Sequence, residues 1–361
     1  MTNLRLYLIG AGVIARYHAA ACAKLPDALD VTLTVADPNP AALAEFAAQF
    51  PEAHTYNDAR KMLTEPAQEG DIVVVATPPF THHHLTLDAL ASGRHVLCEK
   101  PLAMNRAEAA DMLRAARGAN RLLGCCSSRF LGLPTATEVK RLLQQGALGR
   151  VYHITFIQRF QCERAGIEYQ PDSRWFIDRS KNGGGIIMDW GPYDFSYLND
   201  ILQPRKVEVL SAWMANPGGH NAPAGVVFDV EEHGGASLRY HLPDGTLLHL
   251  TYERAACAYG QERALVEIEG LRGAVTWDWL MPRSQGDVTL TRDGNAGFER
   301  HTTTFDTGQT LGPHDKPLVY FYQRTRGMAS PAVVNEQAVF NFACFRAMFD
   351  YVETGQVQVI E

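Results

Sequence analysis

The 361-residue sequence lacks several features that would define a specialised class of protein. No apolar run approaches the roughly 18 to 20 residues that a membrane-spanning helix requires. Its 33 basic and 40 acidic residues form no block of like charge and give a net charge of −7, so neither nucleic acid nor an anionic membrane is an expected partner. Repeats and low-complexity tracts are absent as well. The composition, 46% hydrophobic and 20% charged, is that of a globular protein long enough for two domains.

The seven cysteines are odd in number, scattered and without a C-x-x-C pair. This pattern argues against a disulfide framework and predicts reduced thiols. The apolar run from Leu4 to Ala15 resembles the core of a signal peptide, but its glycines fit a cofactor-binding turn better. We therefore expect a cytoplasmic protein.

The first predicted strand, Leu4 to Ile9, leads into a G-x-G-x-x-A turn and a predicted helix from Val13 to Lys24. In such a turn the first glycine permits the tight bend, the second leaves room for a pyrophosphate, and the alanine lets the helix pack on the strand. A strand before the turn, with a helix and a second strand after it, is the setting that this motif requires. The predicted cofactor-binding residues here are Gly10, Gly12, Val13 and Ile14.

Asp37 ends the second predicted strand, Val31 to Ala36, and lies 22 residues after Ala15. A carboxylate at this distance accepts hydrogen bonds from the adenosine ribose and repels a 2′-phosphate, which favours NAD over NADP. Asp37 also opens an Asp-Pro-Asn-Pro turn, so a purely local role at the strand end is an alternative.

Alternation of apolar strands with helical stretches over residues 1–124 predicts an N-terminal Rossmann domain with a doubly wound parallel sheet. Residues 125–361 change character and predict an α+β domain with a mostly antiparallel sheet. Its last helix, Asn335 to Glu353, ends at Gly355 and is expected to pack back on the body. The remaining predicted strands are Ile72 to Ala76, His95 to Glu99, Leu122 to Cys126, Val151 to Arg159, Val207 to Met214, Ala236 to Leu242, Thr246 to Glu253, Ala264 to Glu269, Ala274 to Trp279 and Asp287 to Arg292.

Polar residues follow two of the predicted parallel strands, at the edge of the sheet where ligands collect in this class of fold. The cofactor-binding candidates at these two strand ends are Thr77, Pro78, His82, Glu99 and Lys100. A cation at such a position stabilises a developing alkoxide or lowers the pKa of a neighbouring acid, which makes Lys100 a candidate catalytic residue. The alternative is a solvated lysine in a strand-to-helix loop.

Together these motifs resemble the glucose-fructose oxidoreductase / inositol dehydrogenase family (GFO/IDH/MocA) over nearly the whole chain. The residues that carry the resemblance are the glycine turn, Thr77-Pro78, His82, the stretch Gly93 to Ala103 reading GRHVLCEKPLA, and Gly183-Gly184-Gly185 leading to Asp189-x-Gly191. The resemblance implies hydride transfer between nicotinamide and a carbinol or carbonyl carbon of a sugar, polyol or related compound. It further implies that residues 125–361 form a domain for substrate binding and oligomerisation. Its large, open sheet is expected to form a homodimer or homotetramer, since a free sheet face would leave apolar surface in water.

Carried over by position, Lys100 matches the lysine of the family's E-K-P segment, which contacts substrate and nicotinamide, and His82 matches a position that borders the cofactor. Asp189 matches the first acid of the family's D-x-G-x-H-x-x-D motif, but here tyrosine replaces the histidine and Ser196 the last acid. A branch of the family also has tyrosine there, so the resemblance assigns proton transfer to Tyr193 with Lys100 as its partner. The ordinary pKa of a tyrosine phenol is about 10, and a nearby lysine favours the phenolate. A buried tyrosine within an aromatic cluster is the alternative.

No metal site is expected. His82, His83 and His84 are adjacent, and neighbouring residues on a helix point about 100° apart, so they cannot chelate one ion together. Arg174 and Trp175 precede the glycine triplet and are candidates for one wall of the substrate pocket.

The sequence thus predicts an NAD-dependent dehydrogenase or reductase of a small, polyhydroxylated substrate. Three alternatives stay open: a glycosidase of the same fold that uses NAD transiently, a reductase resembling dihydrodiol dehydrogenase, and an NAD-binding sensor without catalysis.

Overall fold

The structure is a computed structural model that describes residues 2–26, 29–161, 174–279, 285–295, 297–306 and 311–361. The chain divides into two compact units, residues 1–129 with 310–342 and residues 130–309 with 343–361. The sequence predicted one boundary after residue 124, whereas the contacts place the first break after Arg129 and return residues 310–342 to the first unit.

The first unit begins with alternating strands and helices. Its strands are β1 Thr2–Ile9, β2 Leu29–Ala36, β3 His54–Tyr56, β4 Ile72–Val75, β5 His95–Cys98 and β6 Leu123–Cys125. Its helices are α1 Val13–Ala21, α2 Pro40–Gln49, α3 Ala59–Leu63, α4 His82–Ala91 and α5 Arg106–Ala119. All six strands are parallel, and every residue of β4 and β5 is buried, as expected for a sheet covered on both faces. The predicted Rossmann-type sheet is confirmed.

The second unit carries most of its strands in one further sheet. These strands are β7 Val151–Arg159, β8 Lys206–Ala215, β9 His233–His241, β10 Leu247–Ala255, β11 Arg263–Gly270, β12 Gly273–Trp277, β13 Gln285–Gly294 and β14 Gly297–Asp306. Its helices are α6 Pro134–Gln144, α7 Arg179–Asn182 and α8 Ile186–Leu202. Helix α8 is buried on all sides, since only Trp190 and Asp200 are partly exposed, and it carries the Asp-x-Gly-x-Tyr motif.

The C-terminal part of the chain completes both units. Its elements are α9 Lys316–Thr325, β15 Val333–Val334, α10 Glu336–Thr354 and β16 Gln358–Ile360. The first sheet has the order β15-β6-β5-β4-β1-β2-β3, with β15 antiparallel to β6. The second has the order β14-β13-β12-β11-β7-β10-β9-β8-β16, antiparallel except for the β7–β10 pair, which confirms the predicted mostly antiparallel sheet.

Helix α9 explains why residues 310–342 join the first unit. Its apolar side chains, Leu318 and Phe321 among them, lie in the same buried cluster as Leu6 and Leu8 of β1. A Cβ on Gly124 of β6 would lie 2.5 Å from the Phe321 ring, so β6 admits the helix only because it has glycine there. Among the described residues, no helix is both long and apolar enough to cross a lipid bilayer.

Candidate functional site

The glycine turn between β1 and α1 has the geometry that a dinucleotide requires. Gly10 has φ +104°, and a Cβ there would lie 2.4 Å from the Ala76 carbonyl oxygen, so only glycine fits. A Cβ on Gly12, the N-cap of α1, would meet no atom within 4 Å, which leaves open space before the helix. The N–H groups of a first helical turn have no partners within their helix and bind phosphate readily. The residues of this turn therefore fit a pyrophosphate.

Asp37 lies directly against this turn. Its Oδ2 accepts a hydrogen bond from the Ala11 N–H at 2.8 Å, and its Oδ1 accepts one from the Asn39 N–H at 2.8 Å. The carboxylate is therefore fixed in orientation, and each oxygen keeps a further lone pair. Such a carboxylate suits a pair of ribose hydroxyls, and it also has the local role that the Asp-Pro-Asn-Pro turn suggested.

His82 connects the loops that follow β4 and β5. Its Nε2 lies 2.8 Å from the Thr77 carbonyl oxygen and its Nδ1 2.8 Å from that of Pro101. The ring is completely buried, and burial lowers the pKa of His82. Thr77 is further fixed by a 2.6 Å contact between its hydroxyl and that of Thr81, while Pro78 caps the short 3-10 helix Pro79–Thr81. His82 thus positions these loops and does not itself present a ring at their surface.

Glu99 and Lys100 follow β5 and differ in environment. Lys100 is half-buried, and its main-chain N–H donates to Glu99 Oε2 at 3.1 Å. Glu99 is buried, with Oε1 2.8 Å from His18 Nε2 and 3.3 Å from Arg129 Nη2. Burial raises the pKa of Glu99, but the charge of Arg129 and the hydrogen bond from His18 outweigh it and bring the pKa far below its usual range. Glu99 is therefore a fixed anion that anchors the backbone from which Lys100 projects.

Nothing in the sequence indicated that Glu99 lies in a group of side chains with possible metal-ligand atoms. Donor atoms of His18, Glu99 and Cys126 lie within 4.8 Å of one another, the size of a metal site. The Arg129 guanidinium occupies the side of Glu99 Oε1, however, and burial raises the pKa of the Cys126 thiol well above its usual value. These features favour a hydrogen-bonded anchor over a cation site.

The three consecutive histidines do not converge. His83 Nε2 lies 2.8 Å from an Asp111 carboxylate oxygen, His84 is exposed, and His82 faces the carbonyls described above.

In the second unit, the glycine triplet lets other parts of the chain pack closely against the start of α8. A Cβ on Gly184 would lie 2.6 Å from the Phe349 ring, and one on Gly185 would lie 1.9 Å from the Glu231 carbonyl oxygen. Asp189, in the first turn of α8, and Tyr193 are four residues apart and therefore on one side of the helix. Both are almost completely buried.

Tyr193 belongs to an aromatic cluster with Phe130 and Trp190. Its ring lies edge-on to Phe130 at 4.9 Å between centroids and edge-on to Trp190 at 5.7 Å. Phe195 and Tyr197 follow closely in the sequence, but their described ring contacts are with other aromatic residues. The surrounding rings restrict the orientation of the Tyr193 phenol.

A buried ion pair fixes α8 to β10, and no local sequence signal indicated it. Asp194 accepts hydrogen bonds from Arg254 Nε at 2.6 Å, Arg254 Nη2 at 2.7 Å and the Tyr252 hydroxyl at 2.7 Å. The Arg254 guanidinium also lies over the Trp190 ring, 4.8 Å from its centroid. Asp194 is therefore occupied by structural partners.

Arg174 and Trp175 open a short 3-10 helix, Arg174–Ile177, that directly follows a part of the chain outside the described residues. Arg174 is exposed, and Trp175 is half-buried with its ring edge-on to Phe176 at 5.7 Å. Phe176 and Ile177, not the two predicted residues, line a cavity together with Asp189.

Two family models match the chain. One, described as the oxidoreductase family with an NAD-binding Rossmann fold (GFO_IDH_MocA), matches residues 4–125, and the other, the GFO/IDH/MocA C-terminal domain, matches residues 136–276. The sequence is 28% identical over 222 residues to levoglucosan dehydrogenase of Pseudarthrobacter phenanthrenivorans, a match that covers 56% of this chain and about half (54%) of that protein. It is 27% identical over 300 residues to 1,5-anhydro-D-fructose reductase of Ensifer adhaerens, covering 81% and 80% of the two chains. A solved structure of levoglucosan dehydrogenase with NADH and L-sorbose superimposes with a TM-score of 0.77 at 21% identity over 99% of both chains, which shows a common fold.

Proposed function

We propose that this chain, which belongs to the GFO/IDH/MocA family of NAD-binding oxidoreductases, catalyses NAD-dependent hydride transfer at a hydroxyl-bearing carbon of a sugar, polyol or related small molecule. The observation that carries the proposal is the glycine turn with the Asp37 carboxylate fixed against it, because this pair of features fits both the pyrophosphate and the ribose of NAD. Relatives named for levoglucosan and 1,5-anhydro-D-fructose support a hydroxyl-rich substrate.

The protein side chains would then have separate tasks. NAD, when bound, would supply the hydride acceptor or donor for the substrate carbon. Tyr193, in its phenolate form, would accept the hydroxyl proton and become the neutral phenol, and Lys100 would stabilise the negative charge that develops as this proton leaves. Asp189 orients substrate hydroxyls. The rings around Tyr193 and the anchoring of Glu99 support these assignments, because each restricts the position of a reacting group.

The test is a panel of sugars, polyols, diols and glycosides incubated with NAD and protein. Net NADH formation with a neutral polyol is the expected result, read by absorbance. Thin-layer chromatography of the same reactions detects free sugar; sugar release without net NADH would identify a glycosidase that uses NAD transiently. Tight NAD binding without any turnover would identify a sensor.

We also infer a cytoplasmic homodimer or homotetramer. Six cysteines lie among the described residues and all are free thiols, which supports a reducing compartment. The sequence led us to expect an apolar outer face on the nine-stranded sheet. This expectation is wrong for the row of paired residues that crosses the middle of the sheet. This row, across β11, β7, β10, β9 and β8, consists of Glu267, Thr155, Thr251, Ser237 and Ser211. Association through this sheet therefore has its support in the family resemblance and would be polar in character.

A further inference from the structure

A small cavity in the second unit lies beside the N-terminus of α8. Its free volume of about 20 Å³ is room for one water-sized group and not for a sugar ring. Asp189, Glu231 and Glu232 contribute the acidic part of its lining, and Phe176, Phe228 and Val230 contribute apolar surface. The described residues that line it include no lysine, arginine or histidine.

Glu231 is held rigidly at this cavity. Its carbonyl oxygen accepts the Ile186 N–H at 2.9 Å, and its Oε1 accepts the Ile187 N–H at 3.0 Å. The absence of a side chain at Gly185 is what permits this close approach. The residue is only 2% exposed. One carboxylate oxygen is thus bound to the first turn of α8, and the other, Oε2, has no hydrogen-bond partner among the described residues.

A buried acceptor without a donor destabilises a fold, which makes Oε2 a place for a donor from outside the protein. The second carboxylate, Glu232, accepts the Gly218 N–H at 2.6 Å through its Oε2 and adds negative potential. A group that donates hydrogen bonds, uncharged or positive, is favoured here. An anionic group is disfavoured, because the described lining offers it acidic groups and no lysine, arginine or histidine to bind it.

We propose that this cavity is a subsite for one hydrogen-bond-donating substituent of the substrate, a hydroxyl or a protonated amine, which Glu231 Oε2 accepts, and that it excludes carboxylate and phosphate substituents. The inference rests on the proposed function, since Asp189, assigned there to the substrate, is the residue that joins the cavity to the reaction. It narrows the substrate class from sugars and polyols in general to neutral or amino sugars, with sugar acids and sugar phosphates rejected.

The first measurement is calorimetric binding to the NADH-loaded wild-type protein. The ligands are matched sets of neutral, amino and acidic sugars, such as D-glucose, D-glucosamine, D-glucuronate and glucose 6-phosphate, with the galactose counterparts. The expected result is at least about 10-fold tighter binding of a neutral or amino sugar than of its acidic counterparts. The order of glucose and glucosamine distinguishes a hydroxyl from an amine. Equal binding of acidic sugars, or no binding of any neutral or amino sugar, would overturn the proposal.

The second measurement uses Glu231→Gln. The amide oxygen must continue to accept the Ile187 N–H, so the amide NH₂ replaces the acceptor at the cavity. We expect neutral or amino sugars to bind about 10- to 100-fold more weakly and the discrimination against acids to fall, with NADH affinity unchanged. Glu253→Gln is the matched control, because Glu253 lies in the same unit, outside the lining, paired with Arg159 and His233. Unchanged sugar affinity in folded Glu231→Gln contradicts the subsite.

The two measurements test the subsite even if the variant does not fold or the proposed activity is absent. The wild-type comparison needs no variant, so it stands even if Glu231→Gln does not fold. Binding is read without turnover. A protein that binds neutral sugars with the expected selectivity but forms no NADH therefore supports the subsite and contradicts the oxidoreductase activity.

Discussion

Replacement of Asp37 by asparagine should change which cofactor the protein prefers. The carboxylate accepts two main-chain N–H groups at 2.8 Å, and each of its oxygens has one acceptor position left for a ribose hydroxyl. A hydrogen bond to a charged group contributes about 1.5 to 3 kcal/mol, which corresponds to about 10- to 150-fold in a dissociation constant. Asparagine keeps one acceptor oxygen and the size of the side chain but loses the charge, so NAD should bind more weakly within this range.

The same change should improve the binding of NADP, because the repulsion between a carboxylate and a 2′-phosphate disappears. The ratio of the two dissociation constants should therefore fall by more than the loss of NAD affinity alone. Titration of wild type and variant with both cofactors, followed by intrinsic fluorescence, gives this ratio directly.

The control is Asp58→Asn in the same unit, since Asp58 also accepts a main-chain N–H at 2.8 Å, from Arg60, but caps α3 and has no described hydrogen bond to the glycine turn. Asparagine caps a helix about as well as aspartate, so this variant should stay folded and leave the cofactor ratio unchanged. An unchanged ratio in Asp37→Asn, with the protein folded, would leave Asp37 only its local role in the turn and refute the argument from ribose recognition.

Four further results are expected. Tyr193→Phe should lower kcat by about 10²- to 10⁴-fold in steady-state assays with NAD affinity unchanged, and full activity would place the proton acceptor elsewhere. The pKa of Glu99 is lower in the folded protein than in the unfolded chain, so the contribution of Glu99 to the free energy of unfolding is complete above about pH 4.3 and is lost as the pH falls further. In urea unfolding, Glu99→Gln should therefore lose less stability than the wild type on acidification. Arg254→Met should cost about 3 to 5 kcal/mol of unfolding free energy by leaving Asp194 buried without its cation, and the added change Asp194→Leu should recover most of it; a double variant as unstable as the single one contradicts this. Light scattering should give a multiple of the 39.9 kDa monomer mass, and a monomer at micromolar concentration would exclude the oligomer.

The sequence indicated the first sheet well because its strands are apolar runs with turns at their ends, and residues such as those of β4 are buried on both faces. The same reasoning explains why the sequence did not predict α8 and β14. Helix α8 is buried all round, so it has no amphipathic period, and it contains Gly191 and Pro192, two residue types that disfavour a helix interior. Strand β14 is exposed along most of its length and rich in threonine, which removes the apolar alternation that identified its neighbours.

Contacts between distant residues had no local signal. His18 and Glu99 are 81 positions apart, and Asp194 and Arg254 are 60 apart, so neither pair appears in any window of sequence. The resemblance to the family identified the positions of Glu99 and Asp189, but which partners each acid has depends on packing. The roles of Lys100 and Tyr193 stay predictions.

The hydrogen bonds of four acids separate those available to a ligand from those that position other groups. Glu99 and Asp194 receive donors on both oxygens, including a guanidinium in each case, and have little capacity left for a further partner. Asp37 and Glu231 are instead oriented by main-chain N–H groups, and no guanidinium is among their described hydrogen-bond partners. An acid held in this way keeps an open lone pair on a carboxyl oxygen, so a ligand that donates hydrogen bonds gains most from it. The first pair should therefore affect stability when mutated, and the second pair should affect ligand selectivity.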